Sequence, residues 1–478
     1  MKMIIGGNAV DASDGGVIGV LNPATGKVID TVPAATEADV KMAVRKAKEG
    51  QKIWAKVPVH ERAEILTRFI GLVEENKERL AQTLSQETGK PITEARGEIA
   101  NIPIGFKAFV ERAKHLYTET FRGNMEKNQD GHLVVTVREP VGVVACIIPF
   151  NFPCDLFDQK VAPALMAGNA AIVKPSTDNP LTLCILTELL VKAGVTEGAA
   201  QIVTGPGART GSWLCSDPDV HFITLTGSTE VGIETYKTAA NHLAHIALEL
   251  GGNDAFIVDA DADVDLAVEE MIWGRMYNTG QVCCASKRFL VHNSLKDEFA
   301  AKSVERIKKI KRGDPADDSV QMGCLISEKA AIEVEKQVNL TVSQGGKIIL
   351  GGKRDGAFFD PTVITDVPKT ADVATDMEIF GPVVPIIGFD TIEEAIEIAN
   401  SSKFGLCGCI FTADMKNAWQ TAAKLECGGV VINGASFFRT FEMPFGGYKY
   451  SGVGNEGALC TFDEVTLRKS IVLKNIFA

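Results

Sequence analysis

Short apolar runs rich in β-branched residues alternate with helical stretches through most of this chain, and that alternation limits the folds open to it. One series reads VGVVACIIPF, AAIVKP, AAQIVTG, HFITLTGS and HIALELGG, and a second reads KRFLVH, PVVPIIGFD, LCGCIFT and GGVVING. Between the runs of the second series lie a long charged helical stretch at residues 295–311 and shorter ones near IEEAIEIAN and NAWQTAAKLE. Strands separated by helices pair in parallel, and strands apolar along their whole length are covered on both faces. The expectation is an α/β protein with two such units. A chain of 478 residues is also too long for one core, and at about 150 residues per domain it has room for about three units.

The flanks read differently. Residues 1–35 mix short apolar runs with Asn, Gly, Asp and Pro, the pattern of edge hairpins. At residues 61–84 the apolar positions Ile65, Leu66, Phe69, Ile70, Val73, Leu80 and Leu84 recur at three- and four-residue spacing, which predicts a helix with one buried face. Gly89 is its stop and Pro91 follows. The tail TLRKSIVLKNIF predicts an exposed strand that another segment or subunit must cover.

A formal charge of -12 disfavours nucleic acid and anionic membrane surfaces as partners. Eleven scattered cysteines, an odd number, argue against a disulfide framework. There is no C-x-x-C pair, no H-E-x-x-H and no cluster among the seven histidines, so no metal is expected. The N-terminal apolar run is too short for a signal peptide, and no stretch approaches the ~18 apolar residues of a membrane span. A reduced, cytoplasmic protein acting on small molecules is expected.

Several residues could carry chemistry. TGPGARTG places Gly205, Gly207 and Gly211 after one strand, and TGSTEVG places Gly227, Ser228 and Gly232 after another. Such turns let a backbone approach a pyrophosphate at a helix N-terminus, although neither matches G-x-G-x-x-G and both serve equally as tight strand-to-helix turns. Glu249 ends the apolar strand HIALE, where a charge must be paired or line a cavity. Asn151 in PFNFP could donate to a developing oxyanion or stabilise its turn. NTGQVCCAS sets Cys283 and Cys284 at the end of a polar turn, where either could be a nucleophile or core filler.

The motifs PFNFP, KPS, TGSTEVG, ELGG, NTGQVC, EIFGPV and PFGGYKYSG occur in that order. Their set resembles the NAD(P)-dependent aldehyde dehydrogenase superfamily over essentially the whole chain, and looks most like its succinate-semialdehyde and lactaldehyde dehydrogenases. The resemblance implies a Rossmann-like cofactor domain at residues 1–116 and 140–250 and a second α/β catalytic domain at 251–450. A small β oligomerisation arm, residues 117–139 with 451–478, would then make a homodimer or homotetramer. It implies that Cys283 is the nucleophile, that Asn151 and the Cys283 N–H hold the oxyanion, and that Glu249 is the general base. The cofactor would be held by Ile148, Pro149, Phe150, Lys174, Thr177, Gly207, Gly211, Gly227, Ser228, Val231 and Leu250, with Glu378 on the nicotinamide ribose and Phe380 beside it. Thr177 stands where many NAD-preferring members carry a glutamate, so NADP is favoured over NAD.

The substrate entrance is expected at Phe152, Asp155, Val282, Cys284, Phe438, Arg439 and Phe445. Arg439 could clamp a distal carboxylate or simply pair with Glu442, and Asp155 could read hydroxyl groups or be a first-turn helix acid. Cys284 reads as a small wall residue without chemistry. A short polar aldehyde follows, semialdehyde ahead of hydroxyaldehyde. Rival readings are a coenzyme-A-acylating enzyme, which typically lacks the base that Glu249 supplies, and a cofactor-binding structural protein without catalysis. A Cys–His hydrolase, the third rival, would need a base that only His292 lies near enough in sequence to provide.

Overall fold

The apolar runs of the first series form the middle of an eight-stranded sheet in the computed structural model, which describes residues 1–477. Its spatial order is Asn8–Val10, Met3–Ile5, Ala200–Ile202, Ala170–Lys174, Val143–Ile147, Phe222–Thr226, His245–Glu249 and Gly452–Val453. The strands from Ala200–Ile202 to His245–Glu249 are parallel, and the flanking ones are antiparallel. Alternate residues explain why these strands are apolar throughout. Val143 and Ala145 enter one core with the helix Glu37–Trp54, while Val144 and Cys146 enter another with the helices Val59–Thr88, Ile92–Ala113, Pro153–Met166 and Leu181–Ala193. The parallel part of this sheet begins at Val143–Ile147, adds two strands on one side, then crosses to add two on the other. A crevice therefore opens at the carboxyl ends of Val143–Ile147 and Phe222–Thr226, where open α/β sheets bind ligands.

The second series forms a seven-stranded sheet in the order Lys347–Leu350, Thr362–Thr365, Val383–Phe389, Ser286–His292, Asp254–Val258, Cys407–Phe411 and Gly429–Ile432, parallel except at its first pair. The long helix runs from Val59 to Thr88 and ends at Gly89, whose φ of 76° is a left-handed cap. The charged helix is shorter than its sequence pattern, Lys296–Ile307. The tail strand Thr466–Leu473 does find a partner in its own chain: it pairs in antiparallel register with Leu133–Pro140, which also pairs with Glu119–Arg122. Beyond Thr466 this tail strand is exposed. Among the described residues no helix is long and apolar enough to cross a membrane.

Candidate active site

The crevice at the carboxyl ends of the first sheet is a cleft of about 630 Å³, lined by Ile148, Pro149, Phe150, Lys174, Thr177, Gly207, Gly211, Gly227, Ser228 and Val231. Ser228 caps the helix Thr229–Ala240 by accepting from the Val231 N–H at 3.4 Å. Thr177 is committed to its own turn: its hydroxyl donates to the Gly205 carbonyl and accepts from the Gly207 N–H, both at 3.2 Å. Lys174 is buried, donates to the neighbouring Pro175 carbonyl at 2.7 Å, and is pushed down to about 8 by burial, with the Asp178 charge opposing. The hydroxyl of Thr226, on the cleft wall, is buried without a partner. A buried ammonium, an orphaned hydroxyl and a helix N-terminus on the cleft wall fit a phosphate- and ribose-bearing dinucleotide.

Leu250 lies outside this wall. Its side chain packs under Gly232, where a Cβ would meet Leu250 Cδ2 at 2.5 Å, so it supports the helix that borders the cleft. Glu378 and Phe380 lie farther in. Glu378 pairs with Lys287 at 3.0 Å and accepts from the Gly252 N–H at 3.3 Å, and the Phe380 ring meets that of Phe150 edge-on at 6.0 Å. Lys287 also donates to the carbonyl of Cys283, tying this corner to the nucleophile loop.

A second cavity, of about 380 Å³, brings together Asn151, Phe152, Asp155, Val282, Cys283, Cys284, Phe438 and Arg439. Asn151 follows a strand of the first sheet and Cys283 precedes a strand of the second, so the cavity lies where the two units meet. The nucleophile turn is wound tightly: Asn278, Thr279 and Gly280 have φ of 49°, 55° and 75°. Two non-glycine residues in the left-handed region persist only when their surroundings hold them. Glu94 accepts from the Asn278 N–H at 2.8 Å, and the Asn278 amide donates to the Asn151 carbonyl at 2.9 Å.

The Cys283 thiol is lowered to about 7, chiefly by a hydrogen bond from Cys284 against the opposing effect of burial, with the Lys287 and Arg439 charges helping. Cys284 thus lines the wall and also acts on its neighbour. Glu249 is buried, and neither carboxylate oxygen has a hydrogen-bond partner. Burial, then the charge of Glu456, raises its pKa well above the usual carboxylate range, with Arg439 and Lys160 pulling the other way. A carboxylate in that state is a base that has not been neutralised by a partner.

On the substrate side Arg439 bonds Glu456 at 3.0 Å rather than Glu442, and Glu456 is held at 2.6 Å by buried Lys160. Phe445 is buried behind Arg439, whose guanidinium stacks on its ring at 3.9 Å, and is not part of the cavity wall. Asp155 sits in the first turn of Pro153–Met166 and also lines the cavity. Burial, with Glu98 adding, pushes it up to about 7, and Asn101 donates to it at 3.5 Å. His292 ends its strand bonded to Ser294 and the Asp390 carbonyl, outside the cavity wall.

Sequence reasoning missed Trp273, Tyr277, Phe437 and Phe441, the aromatic wall of the cavity. It also missed the buried lysines Lys90 and Lys160. Lys160 stands in the apolar helix LFDQKVAPAL, the same misplaced-charge signal that exposed Glu249.

The model of the aldehyde dehydrogenase family matches residues 10–471. A glutarate-semialdehyde dehydrogenase of Pseudomonas putida is 38% identical over 455 residues, covering 95% of this chain and 94% of its own. A lactaldehyde dehydrogenase of Methanococcus vannielii is 34% identical, covering 96% and 97%. The crystal structure of an NADP-dependent enzyme of Escherichia coli superposes with a TM-score of 0.96 at 35% identity, covering 99% of this chain and 98% of that one. With this site geometry and these relatives, the chain belongs to the aldehyde dehydrogenase family, aldehyde-oxidising enzymes that use NAD or NADP.

Proposed function

We propose that the chain oxidises a short polar aldehyde to the free carboxylic acid, with NADP favoured over NAD. The observation that carries this is a cavity-lining Cys283, lowered to about 7, together with a buried Glu249 that has no hydrogen-bond partner and senses the Cys283 charge. The Cys283 thiolate attacks the aldehyde carbon, and the Asn151 amide with the Cys283 N–H receives the oxyanion. A nicotinamide dinucleotide held by the cleft residues around Lys174 and Gly227 would supply the hydride acceptor. Glu249 then takes a proton from the water that attacks the thioester, and the carbon–sulfur bond breaks to release the acid and the Cys283 thiolate. A coenzyme-A-acylating enzyme would have no use for such a base. Purified protein should reduce NAD(P) with aldehyde and no coenzyme A; strict dependence on coenzyme A would overturn the reading.

Semialdehydes stand slightly ahead of hydroxyaldehydes as substrates. Arg439 is on the cavity wall and its Nε has no partner, and the Pseudomonas putida relative is a glutarate-semialdehyde dehydrogenase. The hydroxyaldehyde reading is favoured by Asp155 on the same wall and by Glu456, which already takes up much of the Arg439 charge; the Methanococcus vannielii relative is a lactaldehyde dehydrogenase.

Residues 1–116 and 140–250 serve the cofactor in this reading, 251–450 carry catalysis, and 117–139 with 451–478 join subunits into a homodimer or homotetramer. The exposed tail strand, with Ile471 and Val472 about half accessible, supports that assembly. Eleven free thiols suit the cytoplasm.

A further inference from the structure

We infer that Lys90 is a positioning residue that fixes the Asn151 backbone so that the Asn151 amide meets the oxyanion on Cys283. The inference rests on the proposed role of Asn151. Lys90 follows the helix-ending Gly89 and is fully buried, ion-paired with the equally buried Glu98 of the next helix. Its ammonium also donates to the Asn151 carbonyl at 3.0 Å and lies 4.2 Å over the ring of Phe152.

Two donors therefore occupy that carbonyl, Lys90 at 3.0 Å and the Asn278 amide at 2.9 Å. A carbonyl with both lone pairs engaged cannot turn without losing one bond in a buried setting, so the Asn151 peptide is pinned. The second donor comes from the nucleophile turn itself. Glu98 completes the bracket from the other side: its Oε1 accepts from the Cys154 N–H at 2.8 Å, at the start of the helix that follows Asn151. Glu94, on the same helix as Glu98, holds the Asn278 N–H at 2.8 Å. One helix, Ile92–Ala113, thus carries carboxylates to both halves of the site, and Lys90 links them at the one carbonyl they share.

An ion pair needed only for packing could be replaced by neutral groups of the same shape without harm, because burying two charges is costly in itself. Lys90 differs in that its charge is spent on a backbone atom of the residue that must receive the oxyanion. Displacement of such a donor by a fraction of an ångström weakens it where charge develops and leaves substrate binding intact.

The test uses the full-length enzyme and the pre-steady-state burst of reduced cofactor. Lys90→Met alone leaves Glu98 unpaired and will lower the thermal midpoint. In Lys90→Met/Glu98→Gln no buried charge is orphaned, so the midpoint should return toward wild type while the burst remains slower by about tenfold to a hundredfold. Combined with Asn151→Ala, the same pair of changes should slow the burst by less than about twofold more, because Lys90 acts through Asn151. Lys90→Arg keeps the charge beside Glu98 but not the point contact to the carbonyl, and should show a slow burst at an unchanged midpoint. A wild-type burst in either Lys90 variant, or a full additional loss on the Asn151→Ala background, overturns the inference. A wild-type burst in Asn151→Ala itself overturns the oxyanion role and this inference with it, whereas a slow one there beside a normal Lys90 variant overturns this inference alone.

Discussion

Glu249 senses the charge of Cys283, and the two are shifted in opposite directions: burial holds the Glu249 pKa well above the usual carboxylate range, while a neighbouring thiol draws Cys283 down to about 7. In the proposed reaction a thiol charged near neutrality would serve as nucleophile and a carboxyl that resists charging would serve as base. Cys283→Ala should abolish turnover. Glu249→Gln should retain a burst of reduced cofactor and slow the steady state by about a hundredfold or more. Stopped-flow fluorescence of the reduced cofactor separates the phases, and unimpaired turnover in either variant removes that residue from its role.

Alkylation of Cys283 should follow its ionisation. A lowered thiol pKa means thiolate is present above about pH 7 and absent below, and the largest cause is the hydrogen bond from Cys284. Cys284→Ala deletes that donor, so the midpoint of the iodoacetamide rate against pH should move upward, with about a tenfold slower reaction at pH 7 for each unit moved. A midpoint that stays in place would show that Lys287 and Arg439 suffice.

Arg439→Ala separates the two substrate readings. If the guanidinium meets a distal carboxylate, kcat/KM for succinate semialdehyde should fall by about tenfold or more while lactaldehyde and a simple aliphatic aldehyde change little. Equal losses on all three would mean that Arg439 acts through Glu456, its partner at 3.0 Å.

Thr177→Glu places a carboxylate beside Lys174 in the cofactor cleft. It would face the 2′-phosphate that distinguishes NADP from NAD, and like charges in contact cost several kcal/mol, so the NADP-to-NAD ratio of kcat/KM should fall by about tenfold or more. An unchanged ratio would locate the preference elsewhere in the cleft, whose wall also carries Asp178.

Truncation after Val465 removes the strand paired with Leu133–Pro140 and opens that edge. Sedimentation at micromolar concentration should then find loss of the native oligomer or aggregation. A wild-type oligomer in the truncated chain would place the subunit interface away from this strand.

Much of the architecture was legible in the chain because the local signals are strong. Whole-length apolar runs such as VVACI and FITLT report burial on both sheet faces, and Gly89 reports a left-handed cap, since each is set by the residues themselves. Glu249 and the Cys283–Cys284 pair stood out for a related reason, a charge at the end of an apolar strand and thiols on a polar turn conflicting with their surroundings, while the choice of Cys283 over Cys284 came from the family resemblance. What only the tertiary structure decided is who meets whom. Arg439 has Glu442 three residues away and chooses Glu456, 17 residues on, because the latter is buried beside Lys160. Lys90 reaches the carbonyl of Asn151, 61 residues along the chain, and Asn278 reaches the same atom from 127 residues away. Sequence spacing carries no information about such contacts; they exist because two sheets and one helix close around a common cavity, where a buried donor or charge must find a partner at whatever distance along the chain the fold supplies it.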